Sequence, residues 1–353
     1  MLNLVPQLRD MRTFVPSEKQ GFVWWYVDLV GDDGTGIVLI WGLRNPFLPI
    51  SYAGDLGPSV SIVIYERGQK VFNLHQVHDV SEYKHNGYRW SVGQSTFEWT
   101  RRFGRGLLTV KLDCPIPGTD DRLTGDLTVW GNDKKRPSSQ HESASLGWCH
   151  FVVDGSGEGS LRWGDHLVAV TGRAYFDTNG SQSDITDIGI QSWCWGRLTS
   201  PSRSYIWFDT NGTHPETLLL STASQSEIAS FPGHVDLNAS GRTRFGTDRA
   251  TSVDVTIGEE TLHLVLGRPV ETGPFYQRYL VECSQQGERF EGVVERVFVD
   301  RMDLPIWNRL VPMAIHRVAG RNSHFLPFFS GPLKGRWGRL LRLLSTYFFR
   351  RVS

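Results

Sequence analysis

The chain is built from short alternating apolar runs, each bounded by glycine, proline or aspartate. The runs FVWWYVDLV and GIVLIWGL flank GDDGTG, a stretch of Asp and Gly that is typical of a β-hairpin turn. Similar runs, such as SVSIVIYE, GLLTVKLD, SVDVTIG and EGVVERVFVD, continue through both halves of the chain. Long helical periodicity is missing until the C-terminus. The pattern predicts an all-β protein made of sandwiches or barrels.

The predicted strands are too many for one small barrel, and 353 residues are enough for two domains of ordinary size. We expect an N-terminal β domain over residues 15–198 and a C-terminal β-barrel domain over residues 199–320. The loop LTSPSRS, residues 198–204, is the predicted junction. The stretch GSGEGS, residues 155–160, lacks the GxGxxG spacing of a phosphate-binding loop, so we interpret it as a flexible hairpin.

Residues 331–353 have a different pattern. Apolar side chains recur at helical spacing, and the segment is basic and contains no acid. Its apolar face consists of Leu333, Trp337, Leu340, Leu341, Leu344 and Phe348. The pattern predicts a basic amphipathic helix. Such a helix either lies in a membrane interface or packs over a barrel end with its charges in water.

Charge and cysteine usage exclude several classes of function. Lys plus Arg and Asp plus Glu both number 37, so the chain lacks the basic excess of a nucleic-acid-binding protein. The four Cys form no CxxC pair, which argues against a zinc or redox motif. The N-terminus has no apolar core of signal-peptide length, and no run suits a spanning helix. We expect a reduced, cytoplasmic protein, with peripheral association at the inner membrane face through the C-terminal helix as an alternative.

The histidines give little support for a metal. His75 and His78 are three residues apart in NLHQVHDVSEYKH, a spacing that brings two ligands together only on a helix or a tight turn. The surrounding residues have the pattern of strand and loop, so we interpret both as surface histidines. No GxSxG elbow is present for a serine nucleophile. We predict neither a metal nor a cofactor.

Two aspartates lie among aromatic residues, and each begins the sequence DTNG. For Asp177, at the end of RAYFD, we favour a turn, because DTNG suits one. Along SYIWFD, alternation places Tyr205, Trp207 and Asp209 on one face of a strand. An Asp that is desolvated among aromatic rings has a raised pKa and can act as a general acid, while the rings attract a cation. A turn role and a catalytic role both remain open for Asp209.

Several stretches resemble, in order, motifs of the carotenoid 1,2-hydratases (hydroxyneurosporene synthases). They are GFVWWYVDLVGDDGTGIVLIWGLRNPFLPISY, then GRAYFDTNG with SWCWGRL and YIWFD, and then ETGPFYQRYL with VFVDRMDLPIWNRLVPMAIHRVAG. The resemblance extends over roughly residues 20–320. It implies two lipocalin-like β domains, a large apolar ligand held in a barrel or between domains, and addition of water to an isoprenoid double bond without a redox cofactor. Fungal lipocalin-like pericyclases, which catalyse Diels–Alder cyclisations, are related by fold.

The resemblance also suggests roles for individual residues. Asp209 matches the position where the acid of a hydratase is expected, and Tyr276 is placed to orient a polar group. The predicted substrate-binding residues are Trp25, Asn179, Trp193, Trp195, Tyr205, Trp207 and Tyr276. Relatives often carry His and Trp around the central Asn, where this chain has Thr178 and Gly180 beside Asn179. This departure leaves the substrate open.

Taken together, these features predict a cofactor-independent enzyme that hydrates or cyclises an alkene of a hydrophobic polyene or isoprenoid, with Asp209 as the acid. The expected partner is therefore a hydrophobic small molecule. One alternative is a pericyclase of natural-product biosynthesis, which folds a linear polyene into a reactive conformer. Another is a lipid-binding protein without catalysis, since a lipocalin-like cavity serves that role equally well.

Overall fold

The computed structural model describes residues 2–4, 21–47, 57–131, 146–222, 228–231 and 233–333. Most of these residues lie in β-strands, and the α-helices among them are short: α1, Pro305–Leu310, and α2, Leu326–Phe329. The prediction of an all-β chain is therefore confirmed. Among the described residues, no helix has the length and apolar character needed to cross a bilayer.

The strands are numbered in chain order. The first twelve are β1 (Leu2–Leu4), β2 (Phe22–Val30), β3 (Gly36–Leu43), β4 (Pro58–Glu66), β5 (Gln69–Val77), β6 (Tyr83–Asn86), β7 (Arg89–Val92), β8 (Ser95–Arg102), β9 (Arg105–Pro115), β10 (Arg122–Trp130), β11 (Leu146–Trp163) and β12 (His166–Ser181). The others are β13 (Ile190–Thr199), β14 (Ser204–Gly212), β15 (Glu216–Ser221), β16 (Ala229–Phe231), β17 (Gly233–Arg242), β18 (Asp248–Ile257), β19 (Glu260–Val265), β20 (Glu271–Thr272), β21 (Tyr276–Gln285), β22 (Glu288–Phe298), β23 (His316–Arg317) and β24 (Gly331–Pro332).

Most of these strands pair with a neighbour in sequence. A 14-stranded sheet has the order β23-β5-β4-β3-β2-β12-β11-β10-β9-β8-β7-β6, with β1 beside β11 and β24 beside β5. A 7-stranded sheet has the order β16-β15-β14-β13-β22-β21-β20, and a 3-stranded sheet has the order β17-β18-β19. The hairpin predicted at GDDGTG is present, since β2 and β3 pair antiparallel across it. There the side chain of Asp33 accepts hydrogen bonds from the backbone N and Oγ1 of Thr35, both at 2.8 Å.

Two compact units divide the chain. The first unit consists of Met1–Phe22, Asp133–Asp154 and Asn179–Leu304, and the second of Val23–Asn132, Gly155–Thr178 and Pro305–Ser353. Each unit is assembled from segments that are distant in sequence, because the divisions fall inside the long strands β11 and β12. The predicted domain boundary between residues 198 and 199 stays a prediction.

In the first unit, the 3-stranded sheet packs on one face of the 7-stranded sheet. Alternate residues of each strand point into the shared core, which is the period-two pattern of a half-buried strand. The 7-stranded sheet contributes Leu198, Tyr205, Trp207, Leu219, Tyr279 and Val294, and the 3-stranded sheet contributes Val253, Val255, Leu262 and Leu264. We call this cluster the first-unit core.

Aromatic rings fill the core of the second unit. The ring of Trp41 stacks on Phe97 at 4.2 Å and on Phe176 at 5.7 Å between centroids. Trp25 lies 6.0 Å from Trp41 and 5.0 Å from Trp90. All five side chains are buried. Such rings combine large buried areas with favourable ring geometry, so they stabilise the sheet that carries them.

The helix predicted for residues 331–353 does not begin where the sequence suggests. Gly331–Pro332 form β24, which pairs antiparallel with β5, and the backbone N of Leu333 donates to Val71 O at 2.8 Å. The first residues of the predicted helix are thus extended, because they complete backbone hydrogen bonds at the edge of a sheet. Residues 334–353, which carry the rest of that prediction, lie outside the described residues.

Candidate functional site

Asp209 lies in a polar row that crosses five neighbouring strands of the 7-stranded sheet. It is opposite Cys194 on β13 and opposite Thr217 on β15. Thr217 Oγ1 donates a hydrogen bond of 2.6 Å to Asp209 Oδ1. Beyond Cys194, the row continues to Arg296 on β22 and Gln277 on β21. The carboxyl group therefore sits at one border of the first-unit core, with a hydroxyl group holding one of its oxygens.

Burial raises the pKa of Asp209. The largest effect is the loss of water, which destabilises the carboxylate. The charge of Asp236 raises the pKa further, whereas the hydrogen bond from Thr217 and the charge of His234 lower it. The neighbouring Cys194 thiol stays neutral, because burial raises its pKa to about 12. A half-buried carboxyl group with a raised pKa keeps its proton at higher pH than a free aspartate does. This is the property that a general acid needs.

Tyr205 and Trp207 share the face of β14 that carries Asp209, as predicted. Both side chains belong to the first-unit core and are buried there. The ring of Trp207 lies against Gly196 on β13, where an added Cβ would come within 1.9 Å of the indole. Only glycine leaves the ring this close to the backbone. Both rings belong to the tightly packed first-unit core, and Asp209, farther along the same face of β14, stands at the border of that core.

Trp193 and Trp195 lie on the opposite face of the sheet. The β13–β14 register places Trp193 opposite Thr210 and Trp195 opposite Phe208, while Cys194, between the two tryptophans, is opposite Asp209. Side chains of directly opposed residues point to the same face, and successive residues alternate between faces. Trp193 and Trp195 therefore do not share a face of this sheet with Asp209, Tyr205 and Trp207, and their assignment as substrate-binding residues stays a prediction.

A buried ion pair occupies the face of Trp193 and Trp195. Arg278 on β21 is opposite Glu295 on β22, and Arg278 Nη2 contacts Glu295 Oε1. Arg278 Nε donates to Tyr276 Oη at 2.8 Å. Trp195 is opposite Glu295, so the ion pair and Trp195 are neighbours across adjacent strands. The prediction that Tyr276 is placed to orient a polar group is compatible with this contact.

Arg278, Glu295 and the buried His150 were not among the residues predicted from the sequence. They stand in the strand-like runs FYQRYLVEC, EGVVERVFV and WCHFVV, and a charged or polar residue at an inward position of a strand is a usable signal. His150 is 1% exposed and its ring lies 5.0 Å from Trp148. Trp148 in turn meets the ring of Phe208 edge-on at 5.4 Å, on the face that carries Trp195.

Asp177 is in a strand and not in a turn. The sequence DTNG at residues 177–180 continues β12, and Asp177 is 3% exposed. Tyr175 Oη donates to Asp177 Oδ2 at 2.8 Å. The neighbouring strand β2 repeats the arrangement, since Tyr26 Oη donates to Asp28 Oδ2 at 3.0 Å. The turn interpretation of Asp177 is wrong because strand pairing and this hydrogen bond outweigh the local preference of DTNG.

The two remaining predicted binding residues, Trp25 and Asn179, are both buried. Trp25 belongs to the aromatic core of the second unit, where its ring packs on Trp41 and Trp90. Asn179 lies in β12, in the segment that belongs to the first unit, and is 3% exposed. Their assignment as substrate-binding residues stays a prediction.

The histidines of the second unit are less exposed than the sequence suggested. His75 is half-buried and lies 3.3 Å from Asn45 Nδ2, and burial lowers the pKa of His75 to about 4. His78 is buried beside Glu82 at 3.3 Å, and burial lowers its pKa as well. The interpretation of both as surface histidines is wrong for His78. Within the described ranges, no group of three or more His, Cys, Asp or Glu is arranged to hold a metal ion.

Comparison with known families identifies the chain's relatives. The family model described as Carotenoid hydratase CrtC matches residues 58–324, which is most of the chain. The chain belongs to the carotenoid hydratase CrtC family.

Individual proteins extend the comparison of this CrtC-family chain. An acyclic carotenoid 1,2-hydratase of Thiocapsa roseopersicina is 26% identical over 325 residues, which cover 85% of this chain and 74% of that protein. An AttH-type protein of Nitrosomonas europaea has a similar structure, with a TM-score of 0.58 at 14% identity over 83% of this chain and 97% of that chain. CghA, solved with Sch210972, gives a TM-score of 0.54 at 12% identity over 79% of this chain and 89% of that chain.

Membership of the CrtC family confirms the resemblance found in the motifs. The chain is an enzyme of the hydratase kind, and its β fold is lipocalin-like. The range matched by the family model includes Asp209 and the Arg278–Glu295 pair. The N-terminal stretch with WWYVD lies before that range.

Proposed function

We propose that this CrtC-family protein adds water to a carbon–carbon double bond of a hydrophobic polyene of the carotenoid type, with Asp209 as the general acid. The observation that carries the proposal is the half-buried carboxyl group of Asp209, whose pKa is raised by burial and which lies at the border of the core that contains Tyr205 and Trp207. The substrate class is supported by the T. roseopersicina relative, an acyclic carotenoid 1,2-hydratase.

The proposed reaction begins with the protonated form of Asp209. Its proton passes to one carbon of the double bond, the π electrons form the new C–H bond, and a carbocation remains on the neighbouring carbon. Water adds to that carbon through an oxygen lone pair. The resulting oxonium group returns one proton to the carboxylate, so the alcohol is released and the acid is restored. The faces of aromatic rings attract such a cation by about 0.5 to 2 kcal/mol.

Thr217 has a positioning role in this proposal. Its hydroxyl group donates to Oδ1 of Asp209, which assigns the transferable proton to Oδ2. The same hydrogen bond favours the carboxylate and so moderates the rise of the pKa that burial causes. In the proposal, this hydrogen bond keeps Asp209 acidic enough to give up its proton, while burial favours the protonated form.

The chemistry as proposed needs no redox cofactor and no metal. Hydration adds the elements of water to the double bond and involves no electron acceptor. The proton of Asp209 supplies the electrophile, and the aromatic faces supply stabilisation of the positive charge.

The test is the mass of the product. Purified protein, treated with a chelator, is incubated with a detergent-dispersed acyclic carotenoid in ordinary water and in water enriched in heavy oxygen. We expect a product heavier by one water, with the heavy isotope incorporated only in the enriched solvent. A product of unchanged mass with altered absorbance overturns hydration in favour of cyclisation. Tight binding with an unchanged compound overturns it in favour of a carrier.

A further inference from the structure

The turn between β8 and β9 carries an exposed aromatic side chain among arginines. The hairpin is RRFGRG, residues 101–106, and Arg102 is opposite Arg105 at its base. Phe103 is 89% exposed, more than any other large hydrophobic residue in the described ranges. The side chains of Arg101, Arg102 and Arg105 are exposed as well. The tip therefore combines one apolar ring with three positive charges.

The backbone at this turn is unfavourable for a phenylalanine. Phe103 has φ 54° and is followed by Gly104 with φ 74°. Turns with two consecutive positive φ values prefer Asn, Asp or Gly at the first position, and bulky residues rarely adopt this conformation. The ring of Phe103 protrudes into solvent, so packing contacts offset little of this backbone strain. A strained and exposed aromatic residue points to a role outside the folded core.

Equivalent turns elsewhere in the chain use polar residues. Arg67 precedes Gly68 between β4 and β5, and Gln286 precedes Gly287 between β21 and β22, with φ 50° at both first positions. The fold thus accepts a polar residue in this conformation. An apolar ring at residue 103 is not a requirement of the turn.

Further aromatic side chains, Tyr88 and Trp130, lie near this basic hairpin. Tyr88, in the turn between β6 and β7, is 48% exposed, and its carbonyl accepts a hydrogen bond from Trp99 N at 2.8 Å. This pairing brings the two turns to the same end of the sheet. Arg105 lies 5.9 Å from the ring of Trp130. Aromatic rings beside basic side chains are typical of protein segments that enter the headgroup region of an anionic bilayer.

We propose that the hairpin of residues 101–106 docks on the surface of an anionic lipid bilayer. Phe103 enters the boundary between headgroups and acyl chains, and the three arginines bind lipid phosphates. Membrane binding depends only on the residues of this hairpin. Its use in uptake of substrate rests on the proposed function, because a carotenoid-like polyene partitions into bilayers and must be taken up from them.

The experiment measures co-sedimentation of the full chain with vesicles of phosphatidylcholine alone or mixed with phosphatidylglycerol. We expect binding to the anionic vesicles that weakens as salt rises. Phe103→Asn should bind these vesicles at least about tenfold more weakly, because it loses a ring that is partly buried in the bilayer. Its Tm should stay equal or rise, because Asn suits the turn. Arg102→Gln/Arg105→Gln should lose about 25-fold, roughly fivefold for each arginine near the surface.

Matched controls remove equivalent groups elsewhere. Val265→Ser deletes another apolar side chain, one that is 67% exposed, and Arg242→Gln/Arg268→Gln deletes two exposed charges from the first unit. Both controls should bind vesicles as the unchanged protein does. Phe103→Asn should retain turnover of detergent-dispersed substrate, because this assay needs no membrane. If the unchanged protein binds vesicles but does not hydrate the substrate, the proposed function fails and the docking proposal stands.

Three results overturn the docking proposal. Unchanged vesicle binding by both hairpin variants would assign any membrane affinity to another segment. Equal binding of the unchanged protein to neutral and anionic vesicles would remove the role of the arginines. Binding to heparin that depends on the arginines but not on Phe103, together with no vesicle binding, would assign the hairpin to a soluble polyanion.

Discussion

Asp209→Asn is expected to lose about 10²–10⁴-fold in turnover while keeping its affinity for the polyene. Asparagine has nearly the shape of aspartate but carries no transferable proton, so alkene protonation stops while the apolar contacts remain. Thr217 Oγ1 can still donate to the amide oxygen in place of Oδ1. The Tm should therefore barely change. The measurements are single-turnover kinetics, ligand affinity and thermal unfolding on the same preparation.

Asp236→Asn is the matched control for this variant. Asp236 lies on β17 near Asp209 and influences its pKa, but its side chain is 64% exposed and bonded to His234. Its loss should change turnover by less than about tenfold, as expected for an exposed charge that is not part of the chemistry. Near-wild-type turnover of Asp209→Asn would remove Asp209 from the role of essential acid. A large fall in Tm would instead indicate a structural role.

Replacing one partner of the Arg278–Glu295 pair should destabilise the protein by roughly 3–5 kcal/mol. Arg278→Met leaves the carboxylate of Glu295 buried without its cation, and Glu295→Leu leaves the guanidinium group buried without its anion. The double variant, Arg278→Met/Glu295→Leu, should be more stable than either single variant, because neither charge then remains in the interior. Urea unfolding of the three variants measures these differences.

An exposed ion pair provides the control for that series. Arg289 and Glu282 are 2.9 Å apart, with side chains 64% and 66% exposed. Arg289→Met should cost less than about 1 kcal/mol, because water already solvates both groups. If the losses at residues 278 and 295 were equally small, or simply additive in the double variant, the two side chains would not act as a buried pair.

The sequence was sufficient for features that depend on neighbouring residues in one strand. Alternation along SYIWFD correctly placed Tyr205, Trp207 and Asp209 on one face, because the period of two is a property of any strand. The position of Trp193 and Trp195 relative to Asp209 depends instead on the register between β13 and β14. A shift of one residue moves a whole strand to the other face, and nothing local in SWCWG specifies that register.

Local preferences also failed where tertiary contacts oppose them. DTNG at Asp177 has good turn chemistry, yet it lies within β12, where Tyr175 bonds the carboxyl group. Arg278 and Glu295 could not be paired from the sequence, because the β21–β22 register brings together two residues that are seventeen positions apart. A single candidate such as Asp209 can therefore be singled out from the sequence, whereas the arrangement of side chains on two faces of one sheet cannot.

The dependence of kcat on pH, in the unchanged protein and in Thr217→Val, tests the role of Asp209 as a protonated acid most directly. A general acid works only while it holds its proton, so kcat should fall as pH rises through the pKa of Asp209 in the substrate complex. Valine removes the hydrogen bond that favours the carboxylate, which raises that pKa and should move the descending limb to higher pH. A limb that stays in place, or moves to lower pH, would contradict acid catalysis by Asp209.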